Sequence, residues 1–415
     1  MLPPHPEITM RTKHIHWLYR EITVLPGKKF YLANLIWLLL ACIAVTAEIA
    51  RGMSSIDNFL IYRGVFNHVT QLKNLFILYP NEYESFNNYG PAFSLIIAPF
   101  AVLPVYLGCW LWAMTGAVTL LIAIHQLPVT IHQRLLIVSI AAIEMMTATH
   151  NVQFNTLLTA FIIFSFIFTL NGKDWLATLF IAAGTLSKVY GIAGLLFFFF
   201  SQNKKQFVLS YIGWMLTLFL LPMLYSSYEY ILQTYQEWFQ QILKRNDQNV
   251  FNSTYAGMQD ISAMGMIRRI FGWYDFPEFK LVAAAGLSML IPLAKLHQWI
   301  NPAFQLRYLA LVLLTVVVFS SASESPSFVL AVTGAGIWLS LQPTPWKKWL
   351  IALVIFLFLF TILSPTDIVP PYIRTNFIQA YSLKALPCCI IWVFLLKEIY
   401  SIAFSKNQLR PNQIV

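Results

Sequence analysis

The chain has 415 residues, of which 58% are hydrophobic and 11% charged. That balance excludes a soluble globular domain and describes a polytopic membrane protein. The net charge of +10 does not point to nucleic acid. No dense basic block with interleaved aromatics occurs in a hydrophilic stretch, and the excess lies in short loops and tails, as membrane orientation requires.

Residues 1–29 read as a basic cytoplasmic tail, with His14 and His16 as surface side chains and no cleavable signal. Residues 30–396 read as one all-α transmembrane domain, and 397–415 as a second cytoplasmic tail. Apolar spans are predicted at 30–50, 91–124, 135–149, 154–170, 175–188, 190–201, 207–225, 278–295, 305–321, 326–341, 349–363 and 376–396. That makes about 12 spans with both termini on one side. The stretch 91–124 is too long for one straight helix, and Pro99 and Pro104 should divide it into a short lead-in helix and a true span. This threading places sixteen of the 27 Lys and Arg on the cytoplasmic side, including Lys204–Lys205 and Lys347–Lys348. Counting 91–124 as two spans would move both pairs outside, against the positive-inside rule. Cys42, Cys109, Cys388 and Cys389 lie in apolar runs without metal-ligand spacing and read as small apolar fillers. No internal repeat is visible.

Two outer loops stand out, 51–90 and 226–277. In the second, Tyr228, Ile231, Leu232, Tyr235, Trp238, Phe239, Ile242 and Leu243 recur at helical spacing, which predicts an interfacial helix covering the bundle or guiding a lipid. The threading also gathers a set of polar residues at one, non-cytoplasmic end. Asp57 follows the first span, with Tyr62 and Arg63 beside it. A carboxylate near a guanidinium suits a general base next to a phosphate holder, although a solvated loop charge looks the same in sequence. Phe59 follows at the next position but one, so there is no Asp-x-Asp pair to hold a metal.

Tyr89-Gly90-Pro91 closes that loop as a turn. Asn151, Gln153 and Asn155 stand at the start of a span, as helix caps or as hydrogen-bonding partners of sugar hydroxyls. Lys188 ends a span on the side poorer in positive charge, where a phosphate would explain it better than snorkelling. Arg268 and Arg269 are anchors for headgroups or ligands for phosphate, and Glu324 sits in a Ser/Pro-rich turn. Glu48 and Glu144 lie near or inside the membrane, where an ionisable group needs a partner or a water-filled cavity.

The order of these residues resembles the polyprenyl-phosphate-mannose-dependent mannosyltransferases of glycosyltransferase family 87, of the GT-C class. Asp57 and Tyr62 fit an Asp followed five residues later by Tyr; Tyr89, Pro91, Pro99 and Leu103-Pro104 fit the next segment. Gln153 and Asn155 fit a Gly-Gln-x-Asn motif that lacks its glycine here. Lys188-Val189-Tyr190-Gly191 fits Lys-x-Tyr-Pro without the proline. Ser262, Gly265 and Arg268 fit an Asn-Gln-Ser-x-x-Gly-x-x-Arg motif, with Asp260-Ile261 in place of its Asn-Gln here. Ser325-Pro326 fits a late Ser-Pro that often precedes a histidine pair, and Glu324 or Ser327 stands in that place here.

The resemblance implies an all-α GT-C-type bundle in a bacterial-type inner membrane, with its active site on the outer face. It implies inverting transfer of a mannose-like hexose from a polyprenyl-phosphate donor to a glycolipid or glycan acceptor. Asp57 would be the base. Lys188, Arg268 and Arg63 would hold the donor phosphate, and Tyr62, Tyr89, Gln153, Asn155, Ser262 and Glu324 would bind sugar or acceptor. No cofactor is expected. The leaving phosphate is already anionic, so a divalent metal is not required, and that point stays open. The partners are then the two substrates and membrane lipids, and not nucleic acid. Two rival readings are a transporter or flippase of a lipid-linked sugar and a non-catalytic assembly subunit.

Overall fold

The computed structural model describes residues 20–25, 28–252, 259–274 and 277–402. Most of both expected tails, with His14 and His16, lies outside these residues. The described part of the first tail holds a small antiparallel hairpin, β1 (Glu21–Leu25) with β2 (Lys28–Tyr31), which the all-α expectation did not include. Its first strand contains Ile22, Thr23 and Val24, β-branched residues that suit a strand.

Everything that follows is helical. The helices are α1 (Leu32–Arg51), α2 (Asp57–Thr70), α3 (Phe93–Ala101), α4 (Val105–His125), α5 (Ile131–His150), α6 (Asn155–Leu170), α7 (Asp174–Ser187) and α8 (Lys204–Leu220). They continue with α9 (Tyr228–Asn252), α10 (Ala263–Phe271), α11 (Glu278–Leu290), α12 (Pro302–Val318), α13 (Phe328–Ser340), α14 (Lys348–Leu357), α15 (Pro371–Ile373) and α16 (Leu386–Ser401). A 3₁₀ segment, Val189–Phe200, follows α7 after a single residue. Pro104 separates α3 from α4, as the sequence suggests, whereas Pro99 is accommodated inside α3.

The expected count of about 12 spans is not reached by length. Among the described residues, four helices are long and apolar enough to cross a membrane, or five if the pair 371–379 and 383–401, bent by 81°, is one span. The other apolar helices are 10–17 residues long, because prolines, single extended residues and π turns interrupt the runs.

The core runs through the bundle as a chain of contacts. Helix α12 packs on α13, α13 on α5, α5 on α1, α1 on α4, α4 on α6 and α6 on α7. All of α13 is buried, which explains a segment apolar on every face. Helix α8 is the opposite case. It is apolar, yet Val208, Leu209, Ile212, Leu216 and Leu220 are exposed. A wall of that kind is stable against hydrocarbon and not against water, so the protein belongs in a membrane.

The two ends of the bundle differ. At one end, basic side chains terminate helices. Lys204 donates to the carbonyls of Phe198, Phe199 and Ser201, and Arg307 pairs with Glu398 at 2.8 Å. At the other end the loops 51–56, 71–92, 151–154, 259–262, 319–327 and 363–385 meet. The 25-residue helix α9 straps the second of these down. Asn74 donates to Glu237, Tyr230 to the carbonyl of Lys73, and Trp238 to the carbonyl of Asn88. Of its predicted apolar face, Ile231 and Trp238 turn inward, while Tyr228, Phe239 and Leu243 stay exposed.

Candidate functional site

Lys188 stands at the apex of a helical hairpin. It is the one extended residue between α7 and the 3₁₀ segment. The two arms close on Gly184 and Gly191, where a Cβ on Gly191 would come within 2.3 Å of the Gly184 carbonyl carbon. The partly buried ammonium donates to Asn155 Oδ1 at 2.8 Å and lies 5.1 Å from the ring centroid of Tyr190. Asn155 Nδ2 donates to Gln153 Oε1 at 2.5 Å, and Gln153 Nε2 to Glu324 Oε2 at 3.1 Å.

The direction of this chain is forced. An ammonium only donates, so Asn155 must present its oxygen; each amide then passes on an N–H until a Glu324 oxygen accepts the last one. Aligned dipoles of this kind reinforce one another. They also leave Lys188 with no ion pair among the described residues, its only hydrogen bond being to a neutral amide.

Two tyrosines close one side. The hydroxyls of Tyr62 and Tyr89 are 3.0 Å apart, and the Phe154 N–H donates to Tyr62 Oη at 3.4 Å. Burial pushes both phenols above their usual range. Glu324 exerts a Coulombic influence on Tyr62, Tyr89, Tyr190 and Lys188, which places all of them around one carboxylate. Tyr190 Oη meets Ser320 Oγ at 2.7 Å. Gly90 is needed where Tyr89 turns, since a Cβ there would sit 2.7 Å from the Leu186 carbonyl oxygen and 3.0 Å from the Trp238 ring. The strained turn before Gln153 puts Val152 at φ 52°, a conformation that β-branched residues rarely adopt. Strain of this type tends to collect where a site fixes its geometry.

Asp57 opens α2, where the helix dipole favours an anion. Its Oδ1 accepts from the Glu84 N–H at 2.6 Å, and its other oxygen has no hydrogen-bond partner among the described residues. It makes no direct contact with the Lys188 chain. The two regions are joined through Tyr62, about 7–8 Å further along α2, and through Asn58, which donates to the carbonyl of Asn151. Arg63 makes no ion pair among the described residues, and its buried Nε lacks a partner. It projects about 100° round the helix from Tyr62, so the structure does not bring it into the hydrogen-bonded chain.

The structure places Arg268 and Ser262 in a polar cluster of their own, apart from the Lys188 chain. The Arg268 guanidinium is 1% exposed and holds two carboxylates, Asp260 at 2.5 Å and Glu278 at 2.7 Å. Its third nitrogen, the buried Nε, has no hydrogen-bond partner among the described residues. Ser262 donates to Asp260 at 2.6 Å and caps α10 by accepting from the Gly265 N–H. Arg269 is likewise tied to carbonyls, those of Gln259 and Gln379.

Sequence reasoning missed some partners. Glu144 pairs with Lys384 at 2.8 Å, and Lys384 also donates to Ser325 at 2.8 Å. The signal was available, because Lys384 is the lone charge in the last apolar run. Glu48 is engaged by Arg51 at 2.9 Å and His150 at 2.7 Å. Among the described residues, no group of three or more His, Cys, Asp or Glu is placed to hold a metal.

Residues 87–365 match the sequence profile of glycosyltransferase family 87. A search of curated proteins returns no match. The matched region carries Tyr89, Gln153, Asn155, Lys188 and Glu324, and begins after Asp57, Tyr62 and Arg63. Membership of a transferase family speaks against the transporter reading. A match over well more than half of the chain, across the helices that build its polar end, makes this protein a member of glycosyltransferase family 87.

Proposed function

We propose that the protein transfers a mannose-like hexose, with inversion, from a polyprenyl-phosphate carrier to a lipid-linked or envelope glycan on the outer face of the membrane. The observation that supports this most directly is Lys188. A partly buried cation, bonded to an amide and in no direct ion pair among the described residues, is a poor structural device and a good anion site. In the proposed reaction the acceptor oxygen attacks the anomeric carbon while the bond from that carbon to the phosphate oxygen breaks. The hydroxyl proton goes to the unpartnered oxygen of Asp57. The charge left on the polyprenyl phosphate is held by Lys188. Tyr62, Tyr89, Gln153 and Asn155 orient the sugar.

The test is transfer by purified protein in reconstituted membranes, with nucleotide sugars and polyprenyl-phosphate sugars supplied separately. Transfer is expected with the lipid donor. Activity with a nucleotide sugar alone, in membranes free of polyprenyl phosphate, would overturn the proposal. Asp57→Asn keeps an acceptor for the Glu84 N–H and should lose at least ~100-fold in rate.

A further inference from the structure

A second polar space adjoins the Lys188 chain. It is a cleft of about 920 Å³ that shares Glu324 with the chain but is lined by none of Lys188, Asn155, Gln153, Tyr62 or Tyr89. One wall is the end of α5, with Thr147 and Asn151. The facing wall comes from the bent segment before α16, with Thr366, Thr375 and Gln379, and Ser325 and Lys384 also line the space. Such a volume is at the upper end of the usual range for small-molecule sites, about 300–1,000 Å³.

The charges decide what fits. Each cation in the lining already has a carboxylate: Lys384 has Glu144, Arg374 has Asp367, and Arg51 shares Glu48 with His150. No uncommitted positive charge remains to attract a phosphate. What the walls offer is a set of hydroxyls and carboxamides beside the aliphatic faces of Met146, Ile261 and Ile378. That combination matches the alternating hydroxyls and C–H faces of sugars.

We propose that this cleft binds the saccharide part of the acceptor, an uncharged chain of hexoses, and leads its terminal hydroxyl past Glu324 toward Lys188. The proposal rests on the glycosyl-transfer reading above and adds the place and the chemical class of the acceptor. Glu324 is then the junction of two sites. It anchors the amide chain from the donor side through Gln153 and faces the acceptor cleft with the same carboxylate.

The experiment is binding of octyl glycosides with one, two or three hexoses to the full chain in lipid nanodiscs, without turnover. A short polyprenyl-phosphate hexose is measured in parallel. Thr147→Trp and Thr375→Trp fill the cleft from opposite walls. Affinity should rise with each added hexose and fall at least ~10-fold in both variants, the worth of one or two hydrogen bonds. Binding of the phosphate probe should stay as in the unaltered protein. Equal affinity for all three glycosides, or unchanged glycoside affinity in both variants, overturns the proposal. Joint loss of glycoside and phosphate-probe binding in both variants also overturns it, since the cleft would then not be a separate site. Lys188→Met separates the two claims. If it binds the phosphate probe normally while the cleft variants behave as expected, the donor assignment fails and the cleft assignment stands.

Discussion

Replacing Lys188 by methionine keeps an unbranched side chain, one atom shorter, and removes its charge. The structure sets opposite consequences for stability and for binding. The ammonium is partly withdrawn from water with no direct ion pair among the described residues, a desolvation that costs up to several kcal/mol for a fully buried ion and less here. Its loss is offset by leaving Asn155 Oδ1, in a fully buried side chain, without a donor, at about 1–3 kcal/mol. These contributions nearly cancel, so the melting temperature should stay where it is or rise slightly. A charge-assisted contact to phosphate contributes about 1.5–3 kcal/mol, which is roughly a 10- to 150-fold loss of donor affinity. Thermal unfolding in detergent and titration with a short polyprenyl-phosphate sugar read the two quantities separately. A large drop in melting temperature with donor affinity intact would refute the reasoning and make Lys188 a structural residue.

Arg268→Leu should destabilise by about 3–5 kcal/mol, because Asp260 is fully buried and would lose its counter-charge; a neutral outcome in thermal unfolding would return Arg268 to the list of ligand candidates. His68 is buried against Tyr79, donates through Nε2 to Glu82 at 2.9 Å, and has no partner at Nδ1 among the described residues. Burial lowers its proton affinity. The folded value is thus below the unfolded one, so its contribution is present above about pH 6.5 and is lost as pH falls through the folded value. The melting temperature should fall more steeply below about pH 6.5 in the unaltered protein than in His68→Gln, and parallel curves would contradict this. Gly191→Ala should lower stability and donor affinity together, since its Cβ would collide with the backbone of Gly184 and Thr185; an unchanged Lys188-dependent affinity would show that the hairpin tolerates the methyl group. Cysteines placed at positions 203 and 346 should react only with membrane-permeant reagents; labelling from outside intact cells would reverse the threading.

Composition was enough to read a helical membrane protein, because apolar runs of that length have few alternatives. It was not enough for span number. Hydropathy does not register a helix that ends early, and α12, α14 and the run after Lys188 all fall short of 18 residues for local reasons of backbone geometry. Lys188, Asn155, Gln153 and Glu324 were legible as a group, since each is a polar residue at the end of an apolar run and the ends on one side converge. Which of them touch was not legible. The distance between Gln153 and Glu324 depends on how α5, α6 and α13 pack, and no local pattern encodes that. The partners of Arg268 were not legible, because a basic residue beside a glycine looks the same whether it faces solvent or two carboxylates. Asp260 lies eight residues away and Glu278 ten, with an intervening turn, so neither follows from helical spacing. The Glu144–Lys384 pair spans 240 positions; sequence could flag each member as needing a partner but could not introduce them to each other.

The corner at Lys188 has a consequence for how this chain can vary. Most helical hairpins carry a loop that absorbs insertions. Here one extended residue makes the whole reversal, and two glycines press the arms together immediately behind it. An added residue between Ser187 and Val189 would have no slack to enter. It would turn the 3₁₀ arm about its axis and carry Tyr190 away from Ser320, while the lysine lost its register with Asn155. Length at this corner is therefore as restrictive as residue identity, and a chain that kept every polar side chain but gained one position here would lose the site.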